Sequence, residues 1–332
     1  VYKRQRLTLA LNAGGLVLPD TGKIAVFHPR DAADLAELPK ARLVVVQPFR
    51  PDYDALSAAG YDCRADGADL PPCAASLVFL PRAKALARAL VAGAAACSEG
   101  LVIVDGAKTD GIDSILRDVK KRTTVSGPLS KAHGKLFWFD ANAADWSDWA
   151  ARPAQISEGF QTLPGVFSAD GIDPASALLA AQLPAHLGAV VADLGAGWGF
   201  LSAQVLVRED VRALHLVEAD QTALDCAAQN ISDARAVFHW ADATTWHPPE
   251  PVDCVVMNPP FHTDRRADPE LGRAFIRAAA RILTRSGQMW MVANRHLPYE
   301  ALLEELFAKV VETGGDTRFK ILHATRPTRR GR

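Results

Sequence analysis

Val191-Ala192-Asp193-Leu194-Gly195-Ala196-Gly197-Trp198-Gly199 is an apolar strand signal that runs straight into three glycines, with an apolar helix signal over 200–207 behind it. Glycine lets the backbone approach a ligand closely and adopt dihedral angles closed to other residues. Strand, glycine turn and helix together read as a ligand cradle at the carboxyl end of a parallel strand. The rhythm continues on both sides. Downstream, 213–218, 236–240, 252–257, 288–293 and 318–324 read as strands, and 221–230, 270–283 and 299–309 as helices. Upstream, 23–27, 43–47, 76–80, 101–105 and 136–139 read as strands, and 82–97 and 111–121 as helices. Strands alternating with helices predict an α/β fold with a parallel sheet covered on both faces. A segment rich in Ala, Asp and Trp, 140–153, ends in Arg152-Pro153 and sets the expected boundary, giving domains 1–150 and 151–332. The halves read as two copies of one architecture without a sequence repeat between them.

The glycine spacing is G-x-G-x-G. The nicotinamide fingerprint needs a later third glycine, and Phe200 stands there; the lysine of a phosphate-binding P-loop is absent. Asp193, two residues before Gly195, would repel a pyrophosphate. It suits a ligand with an ammonium group, and S-adenosylmethionine carries one beside its sulfonium. Glu218 ends the next strand, 25 residues after Asp193, where a carboxylate can accept from both ribose hydroxyls. Asp242 follows the third strand and can accept from the adenine amino group. Gly195, Ala196, Gly197, Gly199, Ala219 and Ala243 complete the expected cofactor-binding set.

Asn258-Pro259-Pro260-Phe261-His262 follows the buried strand 252–257. Two prolines fix φ and remove two backbone donors. The Asn258 side-chain oxygen and the Pro259 carbonyl can then accept from one exocyclic NH2 group, while Phe261 offers a face to a flipped base. An aromatic amine is a poor nucleophile because its lone pair is conjugated into the ring. Two acceptors on its hydrogens orient that lone pair, so the chemistry needs positioning rather than a strong base.

Composition narrows the choice. Among 332 residues, Lys+Arg is 37 and Asp+Glu 38, split as 19 and 17 up to residue 150 and 18 and 21 after it. Neither half is the basic domain of a non-specific nucleic-acid binder, so nucleic-acid contact must use a local patch. Five cysteines without a C-x-x-C pair disfavour a zinc site or a disulfide framework and fit a reducing cytoplasm. The longest apolar stretch, 83–97, is broken by Lys84 and Arg88 and is too short to span a bilayer. The expectation is a soluble cytoplasmic protein with no metal.

Asp-Leu-Gly-Ala-Gly-Trp-Gly (193–199) with Asn-Pro-Pro-Phe-His (258–262) resembles class I S-adenosylmethionine-dependent methyltransferases that act on exocyclic amines. More narrowly, 155–325 is similar to the RsmC/RlmG group of ribosomal-RNA guanine-N2 methyltransferases, through 165–173, 291–299 and 318–324 as well. The resemblance implies two tandem Rossmann-like methyltransferase domains, the N-terminal one degenerate. It implies cofactor roles for the acids and glycines above, target-base roles for Asn258, Pro259, Pro260 and Phe261, and a place near the cofactor for Phe167, Ser168 and Asn258. The implied partner is ribosomal RNA, of the small subunit, or a ribosomal subunit, met by a monomer. His262, Arg265 and Arg266 stand beside the motif as candidate RNA contacts. Arg82 and Lys84, where the first half has no Asn-Pro-Pro-Phe, are candidate phosphate ligands. Two rivals stand at this point. Adenine-N6 and protein-glutamine-N5 methyltransferases also use Asn-Pro-Pro, more often followed by Tyr, and an RNA-binding assembly factor could keep a vestigial cofactor pocket.

Overall fold

The computed structural model describes residues 4–328 apart from 261, 264, 265 and 268; of 4, 5, 262, 263, 266 and 267 it describes the backbone. The chain divides into two compact units: 1–153 with 163–165, and 154–162 with 166–332.

The first unit opens with α1 (Arg4–Asn12), then β1 (Lys23–Phe27), β2 (Leu43–Val46), α2 (Arg50–Ala58), β3 (Asp62–Arg64), β4 (Cys73–Phe79), α3 (Lys84–Cys97), β5 (Ser98–Ala107), α4 (Ile112–Lys120), β6 (Ser126–Lys131) and β7 (Gly134–Asp140). The second holds a two-residue ladder of β8 (Ala154–Gln155) with β9 (Gln161–Thr162), then α5 (Pro174–Gln182), β10 (Val190–Leu194), α6 (Phe200–Leu206), β11 (Ala213–Glu218), α7 (Gln221–Asn230), β12 (Ala236–Trp240) and β13 (Val252–Met257). A ladder of β14 (His262–Thr263) with β15 (Arg266–Ala267) follows, then α8 (Pro269–Ile282), β16 (Leu283–Asn294), α9 (Glu300–Leu306), β17 (Phe307–Gly315) and β18 (Phe319–Pro327).

Strand order makes the two units copies of one plan. The first sheet runs β3-β2-β1-β4-β5-β7-β6 and the second β12-β11-β10-β13-β16-β18-β17. In each, the first five strands are parallel and the last two antiparallel. Those last two are joined as hairpins. The β6–β7 turn runs through Ala132 and His133, both with positive φ, and a turn this tight can join only antiparallel strands. The order reverses between β1 and β4, and between β10 and β13, and such switch points leave a crevice at the carboxyl ends of the strands.

Buried runs drive the sheets. Ile24–Phe27, Leu43–Val46, Val191–Leu194 and Cys254–Met257 are buried throughout, as parallel strands sandwiched by helices must be. In the first unit, Val91, Ile115 and Val119 of α3 and α4 pack on one sheet face with Trp146 and Trp149. Leu7, Leu35 and Leu56 cover the other face. The segment expected as a linker is therefore tied into the first core by two tryptophans. In the second unit, α8 buries Phe275, Ile276 and Ile282 against β13 and β16, each burial contributing roughly 1.5–3 kcal/mol.

Several expectations are corrected. The helix read over 299–309 ends at Leu306, and Phe307 onward is strand because it pairs with β18. Elements α1, α2, β3, β6 and α5 have no counterpart in the pattern read from sequence. The strand read as 288–293 extends from Leu283 to Asn294.

Candidate active site

The crevice between β10 and β13 is lined by Gly195, Ala196 and Gly197 on one side and by Asn258 on the other. It encloses about 380 Å3 of space open to solvent. Phe167, Asp173 and Ser176 close it from the segment before and within α5.

The glycine loop has a defined shape. Gly195, Gly197 and Gly199 have φ of 77°, 56° and 94°, the left-handed region in which only glycine is at ease. Gly195 N–H and Ala196 N–H both donate to Val217 O, at 2.8 and 3.1 Å, which ties the loop to β11. Gly197 N–H donates to Glu218 Oε2 at 2.8 Å. A Cβ on Gly197 would meet nothing within 4 Å among the described residues, which leaves room beside the crevice. Ala196 is nearly covered and lines the crevice. Trp198 donates its indole N–H to Phe167 O at 2.9 Å, and so places Phe167, which is 59% exposed, at the mouth.

The three acids stand differently from one another. Asp193 is fully buried in β10, beneath the loop rather than on the crevice wall. Its Oδ2 accepts from Ser202 Oγ at 2.7 Å, and its Oδ1 has no partner among the described residues. Burial pushes its carboxyl up to about 7, the nearby Glu218 adds to this, and the Ser202 hydrogen bond opposes it. Asp193 thus lies beneath the glycine loop, with Oδ1 as the atom left over for a cationic group bound above it. Glu218, half-buried at the end of β11, accepts from Gly197 N–H and from Asp220 N–H at 2.9 Å. Burial raises its carboxyl above the usual range. Two of its roughly four acceptor positions are thus used. Asp242 accepts from Thr244 N–H at 2.8 Å and from Thr244 Oγ at 2.7 Å, a local turn that holds the loop after β12. Ala219 O is pinned by the Trp240 indole at 2.9 Å, and Ala243 is buried in the core.

Asn258 is the best-defined side chain of the site. Its Nδ2 donates to Asp173 Oδ2 and to Ser176 Oγ, both at 2.9 Å. An ionised carboxylate only accepts, so the NH2 end of the amide must face Asp173 and the carbonyl end must face away. Asp173 is itself fixed as the N-cap of α5, accepting from Ser176 N–H at 2.8 Å. Sequence reasoning missed Asp173 and Ser176. The signal was present, because Asp before Pro is the usual opening of a helix. Pro259 is buried and Pro260 exposed. Phe261 and Arg265 lie outside the described residues, as do the side chains of His262 and Arg266.

Arg82 is exposed at the start of α3. Lys84, expected as a phosphate ligand, is half-exposed and ion-paired with Asp118 at 3.0 Å, a carboxylate it shares with Arg88 at 2.6 Å. Three cations, with Lys121 at 3.9 Å, surround that one carboxylate.

The unpartnered Asp193 oxygen, the glycine cradle with room beside Gly197, and Glu218 at the end of the next strand fit S-adenosylmethionine: a cationic end over the loop and a ribose at β11. Taken with the switch-point crevice, this defines a nucleotide-fold methyltransferase. The family profile of the Methyltransferase small domain matches residues 158–323, half of the chain, and the chain belongs to that family. S-adenosylmethionine is its cofactor. The chain is similar to ribosomal RNA small subunit methyltransferase C of Idiomarina loihiensis, 29% identical over 92% of this chain and 94% of that one. It is 32% identical to ribosomal RNA large subunit methyltransferase G of Ectopseudomonas mendocina, over 60% of this chain and 55% of that one. Among solved structures, the T. thermophilus 16S rRNA N2 G1207 methyltransferase, in complex with AdoMet and guanosine, shares the fold. Its TM-score is 0.77 at 24% identity, covering 94% of this chain and 90% of the other. Among the described residues, no helix is long and apolar enough to cross a membrane.

Proposed function

We propose that the chain transfers a methyl group from S-adenosylmethionine to the exocyclic N2 amine of a guanine in ribosomal RNA of the small subunit. The observation that carries this reading is the held amide of Asn258, whose side chain lines the same crevice as the glycine loop. When bound, S-adenosylmethionine supplies a methyl group already activated by its positive sulfur. Asn258 Oδ1 and the Pro259 carbonyl accept the two amine hydrogens, and this turns the nitrogen lone pair toward the methyl. Neither group is a base, and the surplus proton leaves to water after transfer. Alignment of this kind can supply roughly 7–11 kcal/mol of the barrier. Glu218 holds the ribose hydroxyls, Asp242 the adenine amine, and Phe261 stacks on the extruded base. His262, Arg265 and Arg266 contact RNA next to the motif. The names of the relatives support ribosomal RNA as the substrate, free or in a ribosomal subunit, and with it a cytoplasmic site of action.

Within this reading 151–332 is catalytic, and 1–150 is a degenerate copy kept for packing and RNA positioning. In the first unit the loop after β1 is His28-Pro29, held by Gln47 Nε2 donating to Pro29 O at 2.7 Å, where the second unit has its glycines. At the end of β5, a buried Arg6–Asp105 pair occupies the sheet edge.

The test is nucleoside mass spectrometry of ribosomal RNA lacking the modification, incubated with the protein and S-adenosylmethionine. N2-methylguanosine is expected. Asn258→Ala should keep cofactor affinity and lose transfer. N6-methyladenosine, or no modified nucleoside, would sink the assignment.

A further inference from the structure

The second unit carries another concavity at the same sheet edge, with about 710 Å3 of space open to solvent, lined by Asn294, Arg295, His296, Thr317, Arg318 and Phe319. Its place follows from register. Met257, the last residue of β13, pairs with Met291 of β16. Asn294 therefore lies three residues further toward the edge at which Asn258 leaves β13. Asn294 in turn pairs with Phe319 of β18. Sheet neighbours are about 5 Å apart, so Phe319 lies about 10 Å from β13, on the side away from the glycine loop.

Both walls are built rather than loose. Arg295 donates from Nε to Asp316 O at 2.8 Å and from Nη2 to Phe319 O at 3.1 Å, and its Nη1 pairs with Glu312 at 3.0 Å. These contacts hold the β17–β18 turn. Asp316 Oδ1 accepts from both Arg318 N–H and Phe319 N–H at 2.7 Å. Lys320, only 3% exposed, donates to Leu297 O at 2.7 Å and pairs with Glu300, which fixes the turn after β16. Between the walls, the exposed Arg318 lays its guanidinium over the Phe319 ring, 5.1 Å from the centroid. The six residues that line the space include no carboxylate; Glu312 and Asp316 stand in the walls behind Arg295 and Arg318.

We propose that this concavity binds a nucleotide of the substrate RNA that flanks the target base, its phosphate on Arg318 and its base against the Arg318–Phe319 stack, with Asn294 and His296 as polar partners. With the cofactor on the β10 and β11 side of Asn258, a strand continuing from the target base finds the β16 and β18 side of that sheet edge open to it. A planar guanidinium on an aromatic ring offers what an unstacked nucleotide needs: charge for the phosphate and a flat face for the base. The subsite rests on the RNA reading of the catalytic crevice.

The experiment measures binding of a short fluorescein-labelled single-stranded RNA, one guanine among uridines, by anisotropy across a salt series. It also measures KM and kcat on ribosomal RNA and the S-adenosylmethionine Kd by calorimetry. Arg318→Ala should weaken RNA binding about tenfold and make the salt slope shallower by about 0.7, the share of one phosphate on a single strand. Arg318→Lys should restore the slope but only part of the affinity. Phe319→Leu should keep the slope and weaken binding about fivefold through the missing stack. In each case KM for RNA rises while kcat and cofactor Kd hold. If Arg318→Ala matches wild type in affinity, slope and KM while wild type methylates guanine, the subsite is overturned and the reaction stands. If the variants lose RNA affinity as described but wild type forms no N2-methylguanosine, the reaction is overturned and the subsite stands.

Discussion

Asp193 is fully buried, with one oxygen on Ser202 and the other without a partner among the described residues. Desolvation disfavours the charged form, and the carboxyl rises to about 7. A folded-state value above the unfolded one means that the native state binds the proton more tightly. The contribution of this group to stability is then full below about pH 4 and is lost as pH rises to about 7. A cationic ligand over the loop favours the ionised form and must expel that proton. S-adenosylmethionine affinity is therefore expected to rise with pH over a range that ends at about pH 7, by up to about tenfold per unit, and to level off above. Calorimetry in two buffers of different ionisation heat should count close to one proton released near the lower end. A pH-independent Kd over that range would show that Asp193 is ionised in the free protein or uncoupled from the ligand. Asp193→Asn should abolish the pH dependence together with most of the affinity. The sequence predicts an acid at this position and a cationic ligand for it. That the acid acts from beneath the loop depends on β10 being covered on both faces, which no local pattern reveals.

At the scale of elements, α5 decides the geometry of the site. Its N-cap, Asp173, and its first-turn Ser176 hold the Asn258 amide, so a short helix far upstream in sequence orients the residue after β13. Asp173→Ala removes an acceptor from Asn258 and a cap from the helix, the latter worth about 1 kcal/mol. The expected result is a fall in kcat of about ten- to a hundredfold, as for a charged hydrogen bond of about 1.5–3 kcal/mol, with little change in cofactor Kd. Asp173→Asn keeps an acceptor and a cap and should recover part of kcat. Equal kcat in wild type and Asp173→Ala would show that Asn258 needs no holding. Strands 23–27 and 252–257 were legible to the residue because their apolar runs are bounded by turn residues. Helix α5 was not, although Asp173-Pro174 marks its start, because the Ala- and Leu-rich stretch behind them has no polar face to set a period. Phe307–Gly315 failed for the opposite reason. Its first residues continue a helical pattern, and only pairing with β18, a long-range partner, makes them strand.

For the whole molecule, the repeated strand order raises the question of what the first unit does. Its switch point is stitched shut by backbone and Gln47 rather than opened by glycines, and the end of β5 is filled by Arg6, whose Nε lies 2.5 Å from Asp105 with both side chains buried. What it offers a nucleic acid is charge. Around Asp118, Lys84, Arg88 and Lys121 leave a net positive cluster at the start of α3 and the end of α4, with Arg82 exposed beside it. The Arg88 hydrogen bond, with Lys84 adding to it, holds the Asp118 carboxyl below its usual range, so the cluster keeps its ion pairs at neutral pH. Because Arg88 alone satisfies Asp118 at 2.6 Å, Lys84 can be replaced without leaving that carboxylate unpaired. Changing Arg82 and Lys84 together to Ala should therefore leave the circular dichroism spectrum unchanged and the melting temperature near wild type, exposed ion pairs being worth at most about 1 kcal/mol. Cofactor affinity should hold. If the unit positions RNA, affinity for ribosomal RNA falls and the plot of log affinity against log salt becomes shallower by about 0.7–0.9 for each phosphate that is no longer neutralised. A change of two phosphates would be separable in that plot from the single one assigned to Arg318. An unchanged slope would leave the first unit with packing as its role and place RNA recognition in the catalytic unit.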